Sequence, residues 1–422
     1  MISTGRLTRT GVLVALTLVY ATNQIDRQLL GILLEPIRHE FHLTDSQLGL
    51  LSGLAFGLFY ATLGIPFALL ADRSNRRNLV SIAIALWSIA TGFCGLAANF
   101  GQLLFGRAAV GVGESGSLPT SQSMISDLYG REDRATAMGV LSIGANLGVM
   151  TAFAGGGLIA AGWGWRAAFL IFSAAGIPLA LFVRFFVGEP ARTHAPSIMP
   201  SPYASLGAAV RHVVKTPALR RLMTAAPIGA LVSYAFLAWF PAYLIRTFGG
   251  TTATVGPTLS VVIGIGGCLG TVVGGFAADR LGRRDIRWHV WITAIALPLA
   301  AIVFCASLLA GSYAFALTLF LIPAFLGIVY SGPNFALVQG LFPPQMRALG
   351  AALYLFVVNL VGLSLGPFLV GVMSDALKAE FGGASLRWSL IAMSVFWVIG
   401  GTLYAHAART LERDLAAQTK MG

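Results

Sequence analysis

Two pairs of ionised residues stand inside apolar runs. Asp26 and Arg27 are adjacent within GVLVALTLVYATNQIDRQLLGILLEPI (11–37), and Arg107 and Glu114 lie within FGQLLFGRAAVGVGES (100–115). A charge at the centre of a bilayer costs about 2.5–3.5 kcal/mol on insertion scales, so such residues face a cavity or one another. Arg107 and Glu114 are seven residues apart and share one helix face. Asp26 is about 12 residues from the far end of its run, roughly 18 Å deep at 1.5 Å per residue, a depth between those of Arg107 and Glu114. The expected product is one buried cluster of two acids and two bases: Asp26, Arg27, Arg107 and Glu114. Two readings stand. The cluster is a neutral lock between two helices, or it is a protonation switch. A carboxylate's proton affinity falls beside an Arg and rises away from one. A movement that changes the distance of Glu114 from its arginines would therefore couple proton binding to conformation. The same arginines suit a phosphate or carboxylate head group.

The elements that must hold these residues are membrane spans. Of 422 residues, 56% are hydrophobic and only 10% charged, with a mean hydropathy of +0.79. Soluble chains carry about 25% charged residues. Runs of roughly 20 apolar residues, the length that crosses a bilayer, recur along the whole chain. The pattern predicts an all-α integral membrane protein of twelve transmembrane helices. The alternating ten-residue segments of a β-barrel are absent. The first run, from Gly11, is read as a span and not as a cleavable signal peptide. The spans fall at roughly 10–37, 46–71, 78–99, 101–128, 135–161, 166–187, 219–247, 253–278, 287–309, 312–341, 347–375 and 386–408.

A net charge of +12 would fit a nucleic-acid partner, but its distribution argues against one. Most Lys and Arg fall in loops on the side of the N-terminus, and only Arg38, Arg166, Arg246, Lys378 and Arg387 fall on the other. By the positive-inside rule both termini are expected in the cytoplasm. A compact chain of this kind points to a bacterial inner membrane and to a monomer surrounded by lipids. The polar stretch 188–218 reads as a cytoplasmic linker, with a short surface helix expected over 203–215. It divides the chain into an N-terminal six-helix bundle (1–187) and a C-terminal one (219–422).

The halves look duplicated. ALLADRSNRR (68–77) ends span two and GFAADRLGRR (275–284) ends span eight. Arg134 and Asn146 recur as Arg347 and Asn359 at the same spacing. Paired six-helix halves around a midplane site are a transporter architecture. The G-x-x-x-D-R-x-G-R-R-like loop after span two, repeated after span eight, resembles the signature of the major facilitator superfamily. The second copy is complete, and the first has Ala68 and Asn75 at the glycine positions. Arg107-x-x-x-Gly111-x-Gly113 resembles the superfamily's element in span four. Asn23-x-x-Asp26-Arg27, the DRSNRR loop and Gly113-Glu114-Ser115 together resemble Spinster-type transporters. That resemblance implies the major facilitator fold and a cargo of the lysophospholipid or sphingoid phosphate class.

In the signature loops Asp72, Arg73, Arg76, Arg77, Asp279, Arg280, Arg283 and Arg284, with Asp127, Arg134 and Arg347, are expected to hold a cytoplasmic gate. Arg76 or Arg77 would reach Asp127, and Arg134 would reach Asp72. The plainer alternative is that these cations only fix topology. Residues expected to line the cavity are Asn23, Ser115, Asn146, Tyr234, Phe236, Trp239, Asn334, Tyr354 and Asn359. The glycine-rich segment 144–157 is read as close packing against span eight. From Trp288 to Met346 there is no charged residue, so one wall of the cavity is expected to be ionic and the other neutral. That combination suits an anionic head with a hydrocarbon tail.

There is no G-x-x-x-x-G-K-[ST], no H-E-x-x-H and no zinc spacing. Cys94, Cys268 and Cys305 all lie in apolar runs and read as packing residues. The chain is therefore expected not to be an enzyme and to need neither metal nor cofactor, with a proton gradient as driving force. The leading reading is proton-coupled transport of an anionic amphiphile. Behind it stand proton symport of a small organic anion, such as a sugar acid or aromatic acid, and a lipid sensor that moves nothing.

Overall fold

The computed structural model describes residues 7–130, 132–191, 202–343 and 346–419, and among these the chain is almost wholly helical. The twelve spans are present. Nine helical segments are long and apolar enough to cross a membrane on composition alone. One of them, Arg134–Phe186, is two spans joined at Gly164, whose φ of 84° turns the chain between spans five and six. The two spans that this criterion passes over are the first and fourth. Span one, Arg9–Phe41, has its hydropathy lowered by the polar residues from Asn23 to Gln28. Span four is broken into Phe100–Glu114 and Ser117–Leu128. The helices that carry the ions are thus the two that read least like membrane spans.

The other spans are 45–73, Arg76–Gly95, Pro217–Phe248, Thr252–Gly282, Trp288–Leu308, 313–340, 347–376 and Ser385–Thr419. The linker helix, Pro202–Lys215, leaves Val210 and Val214 exposed one turn apart.

The chain divides into two compact units. Unit 1 is Met1–Ser197 with Phe240–Gly264, and unit 2 is Ile198–Trp239 with Ile265–Gly422. Residues 240–264, the end of span seven and the start of span eight, thus cluster with the N-terminal helices.

In unit 1, span one packs along span five, and span three along spans four and six. Span eight meets span five at Gly157 and Gly256, where a Cβ would lie 2.4 Å from Thr252 O and 2.3 Å from Phe153 O respectively. Backbone contact through small residues is how membrane helices associate, because lipid gives apolar side chains no reason to prefer each other. In unit 2, span nine packs on spans ten and twelve.

Candidate functional site

Span four is seated by its glycines. A Cβ at Gly111 would lie 2.4 Å from Phe56 O in span two, and one at Gly113 would lie 2.8 Å from Trp87 N in span three. Only hydrogen fits at either place, so the helix is wedged against both neighbours. Span two contributes a second device. Its turn Leu50–Leu54 is π-helical, which rotates the residues that follow relative to a regular helix. Phe56 and Tyr60 come next, and their rings stack 5.5 Å apart.

These constraints bring the four ionised residues together. Arg27 Nε donates to Glu114 Oε2 at 2.8 Å, with the two side chains 8% and 0% exposed. Arg107 Nη1 donates to the backbone carbonyl of Asp26 at 3.2 Å and not to its carboxylate. The guanidinium of Arg27 lies 4.0 Å from the Tyr60 ring centre and 5.3 Å from that of Phe56, and Arg107 lies 5.1 Å from Phe56. Phe56 thus serves both cations, and an aromatic face in a desolvated site attracts a cation by about 2 kcal/mol.

The cluster is under-bonded. Asn23 Nδ2 and Oδ1, Gln24 Oε1, Asp26 Oδ1, Arg27 Nη2, Arg107 Nε and Glu114 Oε1 are all buried and make no hydrogen bond. So are Trp87 Nε1 and Thr91 Oγ1 of span three, whose side chains face the Asp26 carboxylate. Each orphaned buried group costs about 1–3 kcal/mol, so a concentration of them in one place calls for a function.

Asn23 therefore belongs to the cluster. Ser115 is buried but turns its hydroxyl to Val112 O at 2.8 Å, closing the last turn before the break in span four. Asn146 is half-buried in span five. In unit 2, Phe236 and Trp239 are core residues. Phe236 stacks on Phe304 with ring centres 3.6 Å apart, and Trp239 Nε1 donates to Pro367 O at 2.8 Å. Asn334 is buried and donates to Tyr404 Oη at 2.7 Å. Tyr354 is buried, and Tyr234 is half-buried. Asn359 donates to Leu355 O on its own helix.

On the side of the N-terminus, Arg76 is the hub. It is 3% exposed. It pairs with Asp127, reaches Glu189 Oε1 at 3.0 Å and donates to Pro190 O at 2.9 Å. Glu189 also accepts from the backbone N–H of Arg77 at 2.8 Å, at the start of span three, where negative charge is favoured. Arg77 itself turns to Asn78. Asn75, where the signature has glycine, caps span three by accepting from Asn78 N at 2.9 Å. Arg134 Nη2 donates to Ser126 O at 2.7 Å, and the side chains of Asp72 and Arg73 lie outside the described residues. Asp279, Arg280, Arg283, Arg284 and Arg347 are exposed. They make no ion pair among the described residues.

Several residues escaped the sequence reading. Trp87, Thr91, Phe56 and Tyr60 surround the ions but are ordinary residues for an apolar span. At the opposite end, Arg246 binds two carboxylates at once: Nε to Glu35 Oε1 at 2.6 Å, and Nη1 and Nη2 to Asp45 at 2.8 and 2.7 Å. Glu35 is 3% exposed and Asp45 6%. The paired ends of spans one, two and seven had no signal beyond charge near a helix terminus.

Comparison with known proteins agrees with this geometry. Residues 16–367 match the family model of the Major Facilitator Superfamily. The chain is 31% identical over 417 residues to an MFS-type efflux pump of Mycolicibacterium smegmatis, covering 96% of this chain and 94% of that protein. It is 25% identical to the sphingosine-1-phosphate transporter SPNS2 of Danio rerio, covering 94% and 84%. A crystal structure of a bacterial homologue of the human lysosomal transporter Spinster, inward-facing and unoccupied, superposes with a TM-score of 0.86 at 30% identity, covering 96% and 98%. With its duplicated signature loops, its twelve spans and its buried ions on spans one and four, the chain belongs to the major facilitator superfamily of transporters and is similar to the Spinster-type members.

Proposed function

We propose that this transporter moves an anionic amphiphile, of the lysophospholipid or sphingoid phosphate class, by proton-coupled alternating access across a bacterial inner membrane, with both termini in the cytoplasm. The observation that carries the reading is the Arg27–Glu114 pair. It is buried, and its remaining atoms Arg27 Nη2 and Glu114 Oε1 make no hydrogen bond. The four ions sum to zero charge. A phosphate that takes Arg27 and Arg107 therefore leaves an excess of negative charge at Glu114 and Asp26, and proton uptake by Glu114 relieves it. Occupancy by an anion and occupancy by a proton are linked in this way without further parts. Asp26, whose carboxylate makes no bond to either arginine and faces Trp87 and Thr91, is the second proton acceptor.

Two ionic assemblies on unit 1 suit the gating that alternating access requires. Arg76 with Asp127 and Glu189 serves the cytoplasmic end, and Arg246 with Glu35 and Asp45 serves the outer end. The relatives support a lipid cargo by name only, since one is a sphingosine-1-phosphate transporter.

The test is uptake by purified protein in liposomes under an imposed pH gradient. Radiolabelled lysophospholipid, a sphingoid phosphate and glucuronate are compared. Gradient-driven movement of either lipid supports the reading. Movement of glucuronate alone replaces it with transport of small organic anions.

A further inference from the structure

The helix that joins the two halves, Pro202–Lys215, presents a surface that transport as read above does not use. It is held at two points of unit 2. Thr216 alone separates it from span seven, Pro217–Phe248, so its C-terminal end lies at the membrane boundary of that span. Arg220, in the first turn of span seven, reaches back and donates to Val214 O at 3.3 Å. A cation at a helix C-terminus meets unsatisfied carbonyls and the negative end of the dipole. The second point is the end of span ten. His212 Nε2 donates to Leu341 O at 2.9 Å, and its ring centre lies 5.4 Å from that of Phe342. Ala209, on the same side of the helix, is fully buried. One face of the helix is thus clamped to two span ends.

The opposite face carries two stripes. Val210 and Val214, one turn apart, are 45% and 56% exposed. Arg211 and Lys215, also one turn apart and about 100° further round the helix, are exposed as well. Water disfavours the valines, and the hydrocarbon core disfavours the cations. The membrane surface suits both. There the apolar side chains enter the acyl boundary, and the long stems of Arg and Lys carry their charges to the head groups. The sequence also selects the head group. From Pro202 to Arg221 there are four Lys or Arg and no Asp or Glu, and a basic strip beside a bilayer attracts anionic lipid.

We propose that the linker helix is a membrane-surface element of unit 2 that binds anionic phospholipid. Val210 and Val214 sit in the acyl boundary of the adjoining leaflet, and Arg211 and Lys215 lie on the head-group phosphates. The lipid concerned stays in the bilayer, so the inference is independent of the cargo.

The experiment uses the full-length protein in phosphatidylcholine liposomes. Cys268 and Cys305 are replaced by alanine, Cys94 is buried and stays, and a nitrobenzoxadiazole label is placed on Val214→Cys. Three quenchers are compared: aqueous iodide, phosphatidylglycerol with a doxyl group on its acyl chain, and phosphatidylcholine with the same group at equal mole fraction. Both lipids are expected to quench and iodide is not. The phosphatidylglycerol is expected to be enriched about fivefold at the label, the gain that one basic residue brings at an anionic surface. Arg211→Gln with Lys215→Gln is expected to bring that ratio towards one, and any preference of the label itself cancels in the comparison. If Val214→Cys does not fold, Val210→Cys carries the same test. Quenching by iodide and not by the lipids would place the valines in water and overturn the proposal. Protection from all three quenchers would place them against protein and overturn it too. Equal quenching by the two lipids, or a ratio that the double variant leaves unchanged, would remove the anionic lipid as the partner.

Discussion

Unit 1 and unit 2 both bury polar groups within their helical spans, but they do so with different chemistry. Unit 1 uses four ions, cation–π contacts and a wedge of glycines. Unit 2 buries the Asn334 amide on the Tyr404 hydroxyl, and among its described residues its one buried charged side chain is Asp414. A buried ion pair repays its desolvation only with good geometry, and breaking one partner is far costlier than removing both. For a neutral amide the same asymmetry is smaller, because an uncharged group left without its partner costs less than a stranded ion. The ionic unit is therefore suited to switch between states, since each proton or anion that enters changes the balance of a zero-sum cluster.

The sharpest way to break this contrast is by deletion. Arg27→Ala strands Glu114 and is expected to cost about 3–5 kcal/mol of stability. Arg27→Ala with Glu114→Ala is expected to recover much of that. Asn334→Leu is expected to cost less than either single deletion in the ion pair, because its loss leaves only the Tyr404 hydroxyl to be satisfied. Thermal unfolding in detergent and a double-mutant cycle measure all of these. If the double variant is as unstable as the sum of its singles, the pair is not coupled and the contrast fails.

A smaller effect is expected at the Arg246 assembly. Arg246→Gln removes the bidentate contact to Asp45 and leaves Glu35 and Asp45 to Arg38, 3.5 and 3.7 Å away on span one. A single cysteine introduced beside Asp45 is then expected to react with a water-soluble maleimide several-fold faster than in the wild type. An unchanged rate would show that Arg246 holds nothing shut. At the other end, Arg76→Lys keeps the charge but cannot reach Asp127, Glu189 and Pro190 together, because an ammonium lacks the fork of a guanidinium. Transport is expected to fall about tenfold, with the protein still folded.

How much of this was legible in the residues follows from the same chemistry. An ion in an apolar run is conspicuous, so Asp26, Arg27, Arg107 and Glu114 could be read directly, and helix periodicity placed them together. The linker helix was also visible, expected over 203–215 and found at Pro202–Lys215. Trp87, Thr91, Phe56 and Tyr60 were not visible, since hydroxyls and aromatics are ordinary content of a span and only the wedge at Gly111 and Gly113 turns them on the ions. Phe236 and Trp239 show the converse. As large aromatics in a span they were read as cavity residues, but ring stacking and a bond to Pro367 O place them in the core. The Arg246 assembly was hidden because charges near helix ends are expected for topology alone.

The smallest expected effect lies outside the bilayer, beyond the apolar part of span one. Glu40 pairs with Arg166 and accepts from Trp165 Nε1 at 2.7 Å. The hydrogen bond from Arg166 holds its carboxyl below the ordinary value. A carboxyl depressed in the folded state adds stability above its unfolded value and loses it as pH falls through its folded one. The Tm gap between wild type and Glu40→Gln is expected to be a degree or so at neutral pH. It should close on acidification below the ordinary carboxylate range. A gap that persists in acid would show that packing and not charge is responsible.

The central claim is that the ions of unit 1 tie proton binding to anion binding. Its most direct test is lumenal pH in liposomes containing a pH-sensitive dye, recorded as lysophospholipid is added to wild type and to Glu114→Gln. The expected result is a substrate-dependent pH change in the wild type that is absent in the variant, with lipid binding retained. A wild-type signal that survives intact in both Glu114→Gln and Asp26→Asn would contradict the claim and reduce the four-ion cluster to a lock between spans one and four.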